Sequence, residues 1–168
     1  MTSRLRAIVP ILAVLATAVP AAGLVQADDS APAEPGSGGC RARFDRAVDT
    51  YVRSTHERDA AGFASVLHQD VTAIFADGEV LYGKDRTMGF IEAFFADPDW
   101  TQTFDELTRE VRGCQTAFVL FDSVFTPAPG ADPIPLVIGV TFTFEHGRWL
   151  ALQNQDSRGP AYTTAQSG

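Results

Sequence analysis

Apolar side chains recur along this chain with two different periods. From Cys40 onward, Phe44, Ala47, Val48, Tyr51, Val52 and Thr55 fall three or four residues apart, and Arg43, Arg46, Asp49, Arg53 and Glu57 fall off that stripe. This spacing predicts an amphipathic helix with one buried face. Asp59 has the chemistry of a helix cap and precedes a short second helix with Phe63, Val66 and Leu67 inward. Residues 71–75 and 79–82 read as two strands joined by a tight Asp77-Gly78 turn, and Gly83 ends the second. Residues 85–95 return to the helical period. Met88, Ile91 and Phe95 form its stripe, Phe90 and Phe94 flank it, and Asp97-Pro98 stops it.

The rest of the chain reads as strands. Residues 101–111 alternate weakly, Gly113-Cys114 turns, and residues 117–125 are strongly apolar. Residues 126–135 hold four prolines, which donate no ladder hydrogen bonds, so they read as a loop. Residues 136–144 and 148–156 are two long strands around an Glu145-His146-Gly147 turn. Helices on one face of a largely antiparallel sheet is an α+β layout.

The N-terminus has a different pattern. Arg4 and Arg6 precede an apolar run from Ala7 to Val25. A basic start followed by an apolar segment predicts a secretory signal peptide over residues 1–27, cleaved after Val25-Gln26-Ala27. The run is about long enough to span a bilayer, so an uncleaved anchor is the competing reading. Pro10, Pro20 and Gly23 weaken a continuous helix there, and Cys40 lies too far downstream to serve as a lipoprotein cysteine. Residues 28–39 are acidic, rich in Pro, Gly and Ser and free of bulky apolar groups, which predicts a disordered linker. Residues 160–168 predict a disordered tail, leaving 40–159 as the folded domain.

Composition then narrows the partners. The 168 residues carry 13 Lys and Arg against 21 Asp and Glu, a formal charge of −8. Cleavage after Ala27 would remove two arginines and no acid. A chain this acidic lacks the basic footprint that nucleic acid requires. An exported chain with its leader removed predicts no membrane association. His56, His68 and His146 have no metal-ligand spacing, so no metal is expected. No phosphate-binding glycine loop or nucleophile elbow occurs, and no cofactor is expected.

The order of elements, together with several residues, resembles the nuclear transport factor 2-like superfamily, in its SnoaL-like branch. The residues that carry the resemblance are Tyr51 and Asp59, Leu67-His68-Gln69-Asp70, Phe75 with Asp77-Gly78, Gly83, and Gly147-Arg148-Trp149 leading to Gln153, Gln155 and Ser157. It spans residues 42–158. The resemblance implies a cone, in which a strongly curved antiparallel sheet wraps three N-terminal helices and leaves an internal pocket. It also implies a homodimer through the outer face of the sheet. Some relatives are isomerases, cyclases or dehydratases, and others only bind or associate, so the fold alone does not name a chemistry.

Within that cone, Asp122 stands inside the apolar run 118–125. By alternation it shares a face with Phe118, Leu120 and Val124. If that face lines the pocket, Asp122 is a desolvated carboxylate suited to proton transfer. If it faces solvent or a second copy, Asp122 is structural. Tyr51 on the inner stripe of the first helix offers a phenol, and Tyr82 offers another. Phe90 and Phe94 read as pocket wall. In the last strand Trp149, Gln153 and Gln155 share one face, with Asn154 and Asp156 on the other. Many relatives carry His where Gln153 and Gln155 stand; an amide can hold a ligand but cannot move a proton near neutral pH. Arg53 and Arg109 read as solvated.

The sequence thus predicts an exported domain that binds a small, partly apolar molecule through Tyr51, Tyr82, Phe90, Phe94, Trp149, Gln153 and Gln155. A proton-transfer enzyme using Asp122 is the alternative, and a structural homodimer a third. Two cysteines in an oxidising compartment predict a Cys40–Cys114 disulfide, worth roughly 4 kcal/mol by chain entropy for a loop of this size.

Overall fold

The computed structural model describes residues 37–159. The expected signal peptide, residues 28–36 of the expected linker and the expected tail lie outside the described residues. The elements run α1 (Ser37–Glu57), α2 (Ala60–Ser65), β1 (Leu67–Ile74), β2 (Val80–Tyr82), α3 (Lys84–Ala96), β3 (Thr101–Gln102), β4 (Asp105–Arg112), β5 (Thr116–Thr126), β6 (Ile134–Glu145) and β7 (Arg148–Arg158). Among the described residues no helix is long and apolar enough to cross a membrane.

α1 buries the predicted stripe of Phe44, Ala47, Val48, Tyr51 and Thr55. It begins at Ser37, so residues 37–39, expected in the linker, are helical. Asp59 caps α2 by accepting from Gly62 N at 2.9 Å. α2 is shorter than the spacing predicts: it ends at Ser65, and Leu67 already belongs to β1. The weak alternation over 101–111 divides into β3 and β4, both of which pair with β5.

Seven strands form one curved sheet in the order β2-β1-β7-β6-β5-β3, with β4 also on β5. β1 runs parallel to β7, a departure from a wholly antiparallel sheet, and the other pairings are antiparallel. The helices cover the inner face. There Val119 and Phe121 of β5, Ile138, Val140 and Phe142 of β6, and Trp149 and Ala151 of β7 are buried. Phe142 and Trp149 meet Phe44 of α1 edge-on, with ring centroids 5.3 and 5.4 Å apart. Edge-to-face pairs of this kind add to the apolar burial that holds helix to sheet.

Three further ties fix the helices. Cys40 and Cys114 form the expected disulfide, with Cα atoms 5.8 Å apart, joining the start of α1 to the β4–β5 turn. Trp149 Nε1 donates to the Cys40 carbonyl at 2.9 Å. Arg58, between α1 and α2, donates to the carbonyls of Asp97, Pro98 and Trp100 and lies over the Trp100 ring. Arg109 is not the solvated side chain its sequence context suggests. It reaches from β4 to both Glu106 and Asp45. Its charge, mainly through the hydrogen bond, holds the Glu106 carboxyl below the ordinary range.

One irregularity in β7 decides what the sheet presents to the helices. Ala151 pairs with Phe142, but Gln153 pairs with Thr141, so Leu152 is an extra residue. This is a β-bulge, and it changes the phase of alternation for everything after it. Trp149 and Ala151 face inward before the bulge; Asn154, Asp156 and Arg158 follow the inner face after it.

Candidate functional site

A cavity of about 270 Å³ lies between α3, the end of α1 and the inner face of the sheet. Its walls are mostly apolar. Phe90, Ile91 and Phe94 come from α3, Phe125 from β5, and Leu136 and Ile138 from β6. The helical period that places Ile91 and Phe95 in the core leaves Phe90 and Phe94 to turn along the wall. Phe94 stacks on Trp100 with centroids 4.2 Å apart, and Phe90 lies 4.6 Å from Phe75. These contacts hold the rings in place without closing the space between them. Asp77, Phe90 and Arg158 are the exposed lining residues and mark the mouth.

One wall is polar. Tyr51, Asn154, Asp156 and Arg158 all line the cavity. The Tyr51 hydroxyl donates to Asn154 Oδ1 at 2.7 Å, and Asn154 Nδ2 donates to Asp156 Oδ1 at 2.9 Å. The direction of this chain follows from chemistry: an ionised carboxylate only accepts, so the amide must turn its nitrogen to Asp156 and its oxygen to Tyr51. Burial raises the Asp156 carboxyl to about 6, against the lowering effect of the Asn154 hydrogen bond. Burial, and then the Asp156 charge, push the Tyr51 phenol well above its ordinary value, so it stays neutral. The site therefore holds one carboxylate that can change charge near neutral pH, beside a phenol that cannot.

The expected site residues divide into two groups. Tyr51, Phe90 and Phe94 line the cavity. Tyr82 is 66% exposed on β2 and does not. Trp149 is buried between α1 and the sheet, away from the cavity. Gln153 and Gln155 lie on the outer face of β7, where Gln153 Nε2 reaches Gln155 Oε1 at 3.4 Å. The bulge at Leu152 accounts for both: strict alternation carries the inward phase of Trp149 to the two glutamines, and the extra residue transfers it to Asn154 and Asp156.

Asp122 requires a correction of face. Along β5 the buried residues are Ala117, Val119, Phe121 and Ser123, so Asp122 lies on the other side with Phe118, Leu120 and Val124. It is not part of the cavity wall. Its Oδ1 is buried and has no hydrogen-bond partner. Asn154, Asp156 and Arg158 are the polar residues that the sequence pattern misassigns or passes over. The usable signal is a single acid among the neutral residues 149–157 of the strand.

The model of the SnoaL-like domain family matches residues 48–152. A comparison with curated proteins finds no match. Among solved structures the fold is similar to a nuclear transport factor 2-like protein of unknown function from Pseudomonas putida, at 15% identity and TM-score 0.63, over 76% of this chain and 92% of that one. It is similar to a domain of unknown function with a cystatin-like fold from Nostoc punctiforme, at 13% identity and TM-score 0.63, over 74% and 80%. A third, an uncharacterized protein with a cystatin-like fold from Caulobacter vibrioides, aligns at 13% identity and TM-score 0.62, over 74% and 92%. At these identities the likeness is one of fold.

Proposed function

This chain belongs to the SnoaL-like domain family, and on that premise we propose that it binds a small, largely apolar molecule in the cavity between α3 and the sheet. The observation that carries the reading is the contrast within one cavity. Phenylalanines and aliphatic side chains form most of the wall, and Tyr51, Asn154 and Asp156 form a single hydrogen-bonded row along one side. Apolar walls supply the affinity of such sites, and a few fixed polar groups supply orientation. The volume suits a body of one or two rings.

A second reading is proton transfer on the bound molecule, with Asp156 as the base in place of Asp122. A carboxyl raised to about 6 can both take and return a proton near neutral pH. The same proposal takes the chain to be exported, on the strength of its leader, and the Cys40–Cys114 bond suits an oxidising compartment. N-terminal sequencing of protein recovered from the medium should begin near Asp28; an intact Met1 in a membrane fraction would contradict export.

Fluorescence titration with the neutral apolar dye N-phenylnaphthylamine tests binding directly. Saturable binding at one dye per chain is expected, weakened about tenfold or more by Phe94→Ala, which removes a ring from the wall. Absence of saturable binding, or a Phe94→Ala protein that binds as the wild type does, would refute the cavity as the site.

A further inference from the structure

We infer that the polar group of the molecule this cavity takes is an ammonium, donating its N–H groups to Asp156 from within an apolar body. The inference rests on the binding reading above and names the class of ligand.

The donors around the cavity are largely committed. Tyr51 commits its proton to Asn154, and Asn154 commits an amide hydrogen to Asp156. Thr55 Oγ1 donates to the Tyr51 carbonyl at 2.9 Å, and Thr87 Oγ1 donates to the Gly83 carbonyl at 3.0 Å. Gln102 Nε2 donates to Ser123 Oγ at 3.1 Å. What these groups still offer the cavity is mostly lone pairs (Asp156 Oδ2, the second lone pairs of Asn154 Oδ1 and the Tyr51 oxygen, and the threonine hydroxyl oxygens), beside one remaining amide hydrogen on each of Asn154 and Gln102 and the Arg158 guanidinium at the mouth. A carbonyl, ether or enolate would meet more acceptors than donors at the polar row, with the charged Asp156 oxygen foremost among them. A ligand that donates fits it.

Charge selects among donors. Among the described residues no ion pair reaches Asp156. A buried carboxylate with one amide donor and no cation is incompletely compensated. An alcohol would supply one hydrogen bond and leave the charge in place. An ammonium supplies the compensating charge as well as the hydrogen bonds. The titratable and charged groups around the cavity are Tyr51 from α1, Asp77 from the β1–β2 turn, and Asp156 and Arg158 from β7. Two acids therefore face one base. Arg158 is exposed at the mouth, where solvent and salt screen its repulsion. The carboxyl value near 6 leaves Asp156 ionised at neutral pH, ready to pair.

The test is displacement of N-phenylnaphthylamine by three molecules with the same body and different heads: phenylbutylamine, phenylbutanol and phenylbutanoate. At a pH of about 7.5 the amine should displace the dye at a concentration about tenfold below that of the alcohol. In the wild type this preference should fade as the pH drops below about 6 and Asp156 takes a proton. Asp156→Asn should bring the amine and the alcohol to within about threefold of each other. An alcohol that matches the amine, or a carboxylate that outcompetes both, overturns the inference while the binding reading stands. Failure of the dye to bind at all removes the binding reading and this inference with it.

Discussion

Asp156 is where a single residue couples site to stability. Its carboxyl titrates near 6 in the folded chain against an ordinary 3.8, chiefly because burial disfavours the charge. The unfolded chain therefore releases this proton at lower pH than the folded one. Ionisation costs the folded state nothing below about pH 4, an increasing amount between about 4 and 6, and roughly 3 kcal/mol above that. Asp156→Asn keeps the shape and removes the charge. Urea unfolding should show it near wild-type stability at a pH of about 3 and more stable by about 2–3 kcal/mol at about 8. A gain that does not change with pH would mean the carboxylate is not desolvated. The sequence carries only part of this. Tyr51 is legible as an inward phenol because the helical period fixes its face. Asp156 is not, because its face depends on a bulge, and Asp122 is not, because alternation separates two faces of a strand without saying which one the helices cover.

At the level of elements, the helices are read more securely than the strands. The apolar stripe of α1, the Asp59 cap of α2 and the Asp97-Pro98 stop of α3 are local signals, and each stands in the structure within a few residues of its expected place. The early start of β1 at Leu67 is different. It depends on pairing with β7 across the sheet, as Leu67 meets Ala151 and Thr72 meets Gln153. No window of neighbours encodes that register. The bulge at Leu152 has no Gly or Pro to announce it, and it is where the glutamine assignment fails. The disulfide was legible because two cysteines leave one intramolecular pairing. It joins α1 to the β4–β5 turn, so its removal acts on that junction. Cys114→Ser should lower stability by about 2–5 kcal/mol in chemical unfolding. It should also loosen the Trp149 indole, which is hydrogen-bonded to the Cys40 carbonyl, and so reduce near-ultraviolet circular dichroism. A Cys114→Ser protein as stable as the wild type would show that other contacts hold the junction unaided.

For the whole molecule, the open question is what covers the other side of the sheet. Its outer face runs in registered rows: Asp122, Val137 and Ser157; Leu120, Gly139 and Gln155; Phe118, Thr141 and Gln153. The Phe118 ring lies across Gly139, where an added Cβ would meet it at 3.2 Å, so this face is already packed by its own side chains. Asp122 Oδ1 remains buried there without a donor, while the amides of Gln153 and Gln155 and the Ser157 hydroxyl stand on the same face. An unmet buried acceptor costs about 1–3 kcal/mol. In a two-fold pairing the same patch, with Phe118, Leu120, Val124 and Val137 half-buried on it, is covered on both copies at once. The expected outcome is a dimer mass in light scattering at micromolar concentration. Leu120→Arg, at the centre of the face, should convert it to monomer while leaving dye binding intact, since the cavity lies on the opposite side. Wild-type protein that stays monomeric would refute pairing. A Leu120→Arg variant that remains dimeric would place the contact elsewhere on the molecule.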